Sequence, residues 1–296
     1  MSSVTETGST GVYTATLKGT LADAYTVKPQ FNGNVIGSLS DVVTLTAGAP
    51  DGVKSVFSAA PASIVADDIA TSTLTLTAKD VNGNAITGIA SVLTLVVKDS
   101  GDAVPAEGKV TISSISESLT QPGTYIATLK GQLAGAYNVT PQYNGSAIGS
   151  LNDTVTLTAG VPDTGSSTTF VASPRSIVAD NSATSTLTLT VKDKYGNVIS
   201  GIASTLSVDL RNSEGGSPGI GKITISALTE TGTTGVYTAT LKGLLAGVYT
   251  VKPLHNNVAM GSLSDTVTLT AGVPDGVQSD FCLLYTSPSP RDMRRS

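Results

Sequence analysis

The sequence has no tryptophan, one histidine and one cysteine among 296 residues, and aromatics make up only 4% of it. A lone thiol excludes an internal disulfide, and a lone histidine has no second imidazole with which to share metal or acid–base chemistry. Charge is scarce too, at 13% of residues with a formal net charge of −5. Without a basic surface to neutralise phosphates, nucleic acid is excluded as a partner. No apolar run reaches the roughly 18 residues that mark a membrane helix, and the opening MSSVTETGST is neither basic nor apolar. The chain is therefore expected to insert no segment of its own into a membrane, with any export signal lying upstream.

Thr, Ser, Val, Leu, Ala and Gly dominate instead, a composition that suits many short strands joined by small-residue turns. They are arranged in a repeat. GVYTATLKG at Gly11 returns as GTYIATLKG at Gly123 and again as GVYTATLKG at Gly235, 112 residues apart each time. LSDVVTLTAG, LNDTVTLTAG and LSDTVTLTAG close the units at Gly48, Gly160 and Gly272, while FSAAPASIVADD from Phe57 matches FVASPRSIVADN from Phe170. That period fits a whole small domain rather than a solenoid repeat, so each unit should own a core. Residues 1–50 supply the C-terminal half of a unit, 54–161 and 167–273 are two complete ones, and a further repeat starts at 277–281. Met1 falls in mid-unit, so that unit is expected to begin upstream.

From Cys282 the text CLLYTSPSPRD has no counterpart in either complete unit. It resembles the one-frame translation of a transposase-adapter sequence used in DNA library preparation. Residues 282–296 are therefore expected to be an artefact, disordered and outside the fold.

Inside a unit the hydrophobic period is two. Leu74, Leu76 and Ala78 fall on one face of a strand with Thr73, Thr75 and Thr77 on the other, and Val155, Leu157 and Ala159 alternate with threonines in the same way. About seven such strands per unit, separated by Asn-Gly, Pro-Gly and Ala-Gly turns, predict antiparallel sheets packed face to face. The fold class is all-β: tandem immunoglobulin-like Greek-key β-sandwich domains arranged as an elongated rod. The strings LADAYTV, LAGAYNV and LAGVYTV place Tyr25, Tyr137 and Tyr249 just after a small-residue turn, the setting of a tyrosine corner, with a plain core tyrosine as the alternative.

These strings carry a resemblance. PASIVADDIATSTLTLTAKDVNGNAITGIAS, GTYIATLKGQLAGAYNVTPQYNG and DTVTLTAG resemble the bacterial immunoglobulin-like domains of the invasin and intimin group of adhesins, across nearly all of residues 1–281. The resemblance implies a rod on the outer surface of a bacterium, anchored in the outer membrane by an upstream β-barrel. It implies host-receptor binding by distal domains that this chain does not contain, and neighbouring immunoglobulin-like domains of the same chain as the immediate partners.

No catalytic or cofactor-binding residue emerges. The turn Asp80-Val81-Asn82-Gly83-Asn84, echoed at Asp193–Asn197, has the alternating oxygens that open a calcium loop, so Asp80, Asn82 and Asn84 are its metal candidates; the bidentate Glu that should follow is missing. A hairpin turn with Asn and Gly at positive φ accounts for the same residues without metal. Asp51, Asp163 and Asp275 after prolines, with Asp67, Asp68 and Asp180, could bind calcium at junctions or simply form Pro-Asp turns. His255 fills the slot of Phe31 and Tyr143, an ordinary packing substitution. Ser and Thr abound without a base to activate them.

The expected function is mechanical: a structural stalk that projects a distal binding domain, with no cofactor and no enzymatic activity. The alternatives are an immunoglobulin-like binding module for host protein or glycan, and an accessory region of a secreted enzyme or a phage structural protein.

Overall fold

A computed structural model describes residues 1–274, 276–277, 279–280 and 282. The chain divides into two compact units, one of residues 1–161 together with 193–197, the other of residues 162–192 with the described residues from 198 onward. Among the described residues the only helical segments are single 3₁₀ turns at Ala90–Val92 and Ala203–Thr205.

In the first unit, residues 56–158 build a sandwich of two five-stranded sheets. One sheet runs Val110–Ile112, Thr124–Gly131, Ser72–Thr77, Val56–Ala60, with Ser116–Glu117 also on Thr124–Gly131. The other runs Leu93–Asp99, Gly135–Tyr143, Asp153–Thr158, Ser63–Val65, with Ser146–Ala147 also on Gly135–Tyr143. Register follows from the two-residue period. Phe57 lies opposite Leu76 and Leu76 opposite Tyr125, so the apolar side chains of three strands form one inward row. Tyr137 opposite Val155 does the same in the facing sheet. Leu74, Tyr125, Leu129, Tyr137, Val139, Val155 and Leu157 are buried between the sheets. Each such side chain contributes roughly 1.5–3 kcal/mol by leaving water, while the intervening threonines face outward.

In the second unit, residues 169–270 repeat this plan. Thr169–Ser173, Ser185–Thr190, Val236–Gly243 and Ile223–Ile225 form one sheet, and Ser176–Val178, Asp265–Thr270, Gly247–His255 and Leu206–Asn212 the other. Leu187, Leu189, Tyr237, Leu241, Tyr249, Val251, Val267 and Leu269 fill its core.

Two expectations are corrected. Each sandwich holds ten strands rather than about seven, because bends divide the edges into pieces of two or three residues such as Ser63–Val65 and Ser116–Glu117. The sheets are not wholly antiparallel either. Ser63–Val65 runs parallel to Asp153–Thr158, and Ser176–Val178 parallel to Asp265–Thr270. The first strand crosses from one sheet to the other after Ala60 and joins the last strand alongside it.

Residues 1–50 adopt strand conformation only in short pairs. Thr5–Glu6 pairs Tyr13–Thr14, Asp23–Val27 pairs Asp41–Leu45, and Gln30–Phe31 pairs Asn34–Val35. None of these 50 residues is buried. Beyond Pro274, Val277, Ser279 and Asp280 form no strand, and Cys282 is exposed. The expectations placed on the rest of 277–281 and on 283–296 lie outside the described residues.

Candidate functional site

The turn at Asp80–Asn84 is closed by its own side chains. The Gly83 amide donates to the Asp80 carbonyl at 2.9 Å and the Asp80 amide to the Asn84 carbonyl at 3.0 Å. Asp80 Oδ1 accepts the amides of Asn82 and Asn84, both at 2.9 Å. Gly83, at φ +89°, supplies the left-handed step. Asn82 does not take positive φ, so the expected pairing of two such residues in this turn is corrected: Gly83 alone does, and the asparagine that acts through its side chain is Asn84.

The outward half of the turn meets residues 19–48. Asp80 Oδ2 accepts the Gly48 amide at 3.0 Å and is itself held by Asn84 Nδ2 at 2.8 Å. Asn84 also donates Nδ2 to the Thr20 carbonyl at 2.8 Å and accepts the Ala22 amide on Oδ1 at 3.0 Å. One amide side chain thus matches a backbone carbonyl and a backbone amide two residues apart, as a strand neighbour would. Together they line a cleft of about 270 Å³.

The residue between these two contacts is Leu21, whose carbonyl accepts the Tyr25 hydroxyl at 3.0 Å. Tyr137 donates to Leu133 and Tyr249 to Leu245 in the same way, each at 2.9 Å. The phenol therefore fixes the loop from inside while asparagine reads it from outside.

Asp193–Asn197, which belongs to the first unit, makes the same set. Gly160 donates to Asp193 Oδ2 at 2.9 Å, Ala134 to Asn197 Oδ1 at 2.8 Å, and Asn197 Nδ2 to the Gln132 carbonyl at 2.9 Å. Tyr195 adds a hydroxyl bond to the Asp67 carbonyl at 3.1 Å.

These donors hold the acidic groups ionised. The Asn84 side chain first, then the Gly48 amide, lower the Asp80 carboxyl from 3.8 to about 2. Burial pushes Asp193 upward, but the Asn197 side chain and the Gly160 amide outweigh it and the net direction is down. Burial raises the phenols of Tyr137 and Tyr249, with the Asp99 charge adding to the effect at Tyr137.

The family model for invasin, domain 3, matches residues 51–160 and again 163–272. The chain belongs to the invasin domain 3 family. It is 26% identical over 265 residues to the inverse autotransporter adhesin YeeJ of Escherichia coli (strain K12), a match covering 89% of this chain and 10% of that protein. The chain thus spans about a tenth of the length of this curated relative. Among solved structures it is similar to invasin, described as a bacterial integrin-binding protein, with 27% identity and a TM-score of 0.62 over 84% of this chain and 46% of that one. The Escherichia coli adhesin FdeC is 28% identical with a TM-score of 0.56, over 84% of this chain and 74% of that one. Yersinia pseudotuberculosis InvD is 26% identical with a TM-score of 0.56, over 80% and 64%.

The other residues singled out in these invasin domain 3 repeats do not converge on one site. Asn82 contributes only its backbone amide to the turn. Asp51, Asp67 and Asp180 each accept two amides from the residues just after them, and Asp163 accepts the Ser167 amide, the pattern of local turns. Asp275 lies outside the described residues. His255 is half-buried at a strand end, 3.3 Å from Asn256 Nδ2. Among the described residues no three His, Cys, Asp or Glu side chains gather as a metal site. What the sequence hid were the partners of Asp80 and Asn84, which are backbone groups of Gly48, Thr20 and Ala22. The available signal was the Asp and the Gly-Asn that ends four residues later, kept in both complete repeats while the two residues after Asp change.

Proposed function

We propose that this chain is a spacer region of a bacterial surface adhesin. Its complete domains comprise residues 54–161 and 167–273, and residues 1–50 are the C-terminal half of another. The observation that carries the reading is that each complete repeat holds both parts of a connector. One is an Asp-x-x-Gly-Asn turn that grips a preceding loop, and the other is a loop of the kind that is gripped. Units built this way can be chained in any number, which is what a stalk requires. Threonine-rich outer faces keep such a chain soluble without a large apolar patch.

In this reading the chain has no catalytic role, the tyrosines at 25, 137 and 249 hold the connecting loops, and the Asp80–Asn84 turn works without metal. The receptor is a host-surface molecule bound by domains beyond this chain, and an upstream segment anchors the protein in the outer membrane. Small-angle scattering on the chain and on versions with one or two added copies of residues 163–272 tests the spacer role. Each copy should extend the maximum dimension by about 40 Å, the span of one sandwich. A dimension that stays constant as copies are added would overturn it.

A further inference from the structure

The second repeat carries a third copy of the gripped loop, and among the described residues nothing grips it. Tyr249 holds the Leu245 carbonyl as Tyr25 and Tyr137 hold Leu21 and Leu133. Thr20, Gln132 and Leu244 occupy the carbonyl position, and Ala22, Ala134 and Ala246 the amide position. Ala22 and Ala134 are half-buried, whereas Ala246 is exposed beside Leu244 and Leu245, which are 56% and 46% exposed. Among the described residues no group bonds the Leu244 carbonyl or the amides of Ala246 and Gly272.

We infer that Leu244–Ala246 with Gly272 is an open socket whose ligand is the Asp-x-x-Gly-Asn turn of another domain of this family. The ligand asparagine would take the Ala246 amide and the Leu244 carbonyl, and its aspartate the Gly272 amide. Two occupied sockets in the same chain show the fit, with equivalent hydrogen bonds agreeing within 0.2 Å. Every socket group used is backbone, so the socket reads loop shape rather than side-chain identity. That is why Thr20, Gln132 and Leu244 can stand in the same place. Any turn of this type should therefore fit any socket, and domains should be exchangeable along the chain. Both such turns in this chain are already seated, so a second copy of it has no free turn to offer. The partner must bring its own.

This inference rests on the spacer reading, and its test separates the two. Residues 275–296 are replaced by a copy of residues 163–272, which brings a free turn, and amide exchange is followed at Ala246. The added turn should slow Ala246 about tenfold, one hydrogen bond's worth, and Asn→Ala at the copied position 197 should return it to the fast rate. In the unextended chain, Asn84→Ala should bring Ala22 up to the rate of Ala246, with the protected core amides of Leu74 and Tyr125 showing that the repeat stays folded. Ala246 exchanging alike with and without the added turn would overturn the socket, as would Ala22 staying slow in Asn84→Ala. If the extended chain still lengthens in scattering while Ala246 stays fast, the spacer stands and the socket alone fails.

Discussion

Residues 11–19 and 235–243 are the same nine amino acids, GVYTATLKG, in two different structural states. The later copy contributes the eight-residue strand Val236–Gly243, paired on one side with Ser185–Thr190 and on the other with Ile223–Ile225 and Thr229–Glu230. The earlier copy contributes only Tyr13–Thr14, paired with Thr5–Glu6. Tyr237 is fully buried and Tyr13 is 62% exposed. Local propensity is identical by construction, so the difference is tertiary. Residues 1–10 contain nothing equivalent to Ser185–Thr190, and without that neighbour the inward row has no second strand to pack on. A strand propensity is a fit to a half-buried surface rather than a property of the nine residues.

The largest expected effect comes from supplying that neighbour. A copy of residues 51–112 placed ahead of Ser2, in place of Met1, should complete the first sandwich. Amide exchange at Tyr13 should slow by about a thousandfold or more, the equivalent of roughly 5 kcal/mol of cooperative stability. Unchanged exchange there would mean that strand pairing is not what separates the two copies.

Next is a matched truncation in the core. Leu129→Ala should lower the denaturation stability of its repeat by about 2–5 kcal/mol. The equivalent Leu17→Ala, at a half-buried site, should cost about 1 kcal/mol or less. Equal losses would erase the distinction. Smaller again is the phenol. Tyr137→Phe should cost about 1 kcal/mol, the net worth of its bond to Leu133, and Tyr25→Phe a few tenths, because its surroundings are still wet. Because burial raises the Tyr137 and Tyr249 phenols, their contribution is complete below the usual tyrosine value of 10.0 and is lost as pH rises past it through the higher folded value.

The smallest effect sharpens the comparison at the contact between the two regions. Asp80 is lowered from 3.8 to about 2, so its contribution is complete above pH 3.8 and is lost as pH falls through about 2. The Gly48 amide, which donates to this carboxylate, should shift in NMR spectra across that window while core resonances such as Leu74 hold still. Movement of both together would place the titration in the sandwich instead.

The repeat, the two-sheet fold and the inward faces were legible because Leu74, Leu76, Val155 and Leu157 obey a two-residue period that burial enforces. The strand count was harder to read, since bends at edge strands leave no apolar signature. The parallel pairing of Ser63–Val65 was invisible for a related reason: alternation records which face a residue takes and not the direction of its neighbour. The tyrosines were singled out from the turn that precedes them, and the structure adds their hydroxyl bonds to Leu21, Leu133 and Leu245. The turn at Asp80 was found but read for calcium or for a hairpin, because its partners are main-chain atoms of residues 20–48, which no side-chain pattern encodes.

The parallel ladder that joins the first and last strands of each sandwich also sets how it meets force. Tension applied between the entry and exit of a domain pulls Ser63–Val65 and Asp153–Thr158 in opposite directions along their shared axis. Their hydrogen bonds lie across that axis and bear the load together, in shear, whereas a hairpin pulled from its open end parts one bond at a time. Each of the two sandwiches thus carries its own small shear clamp.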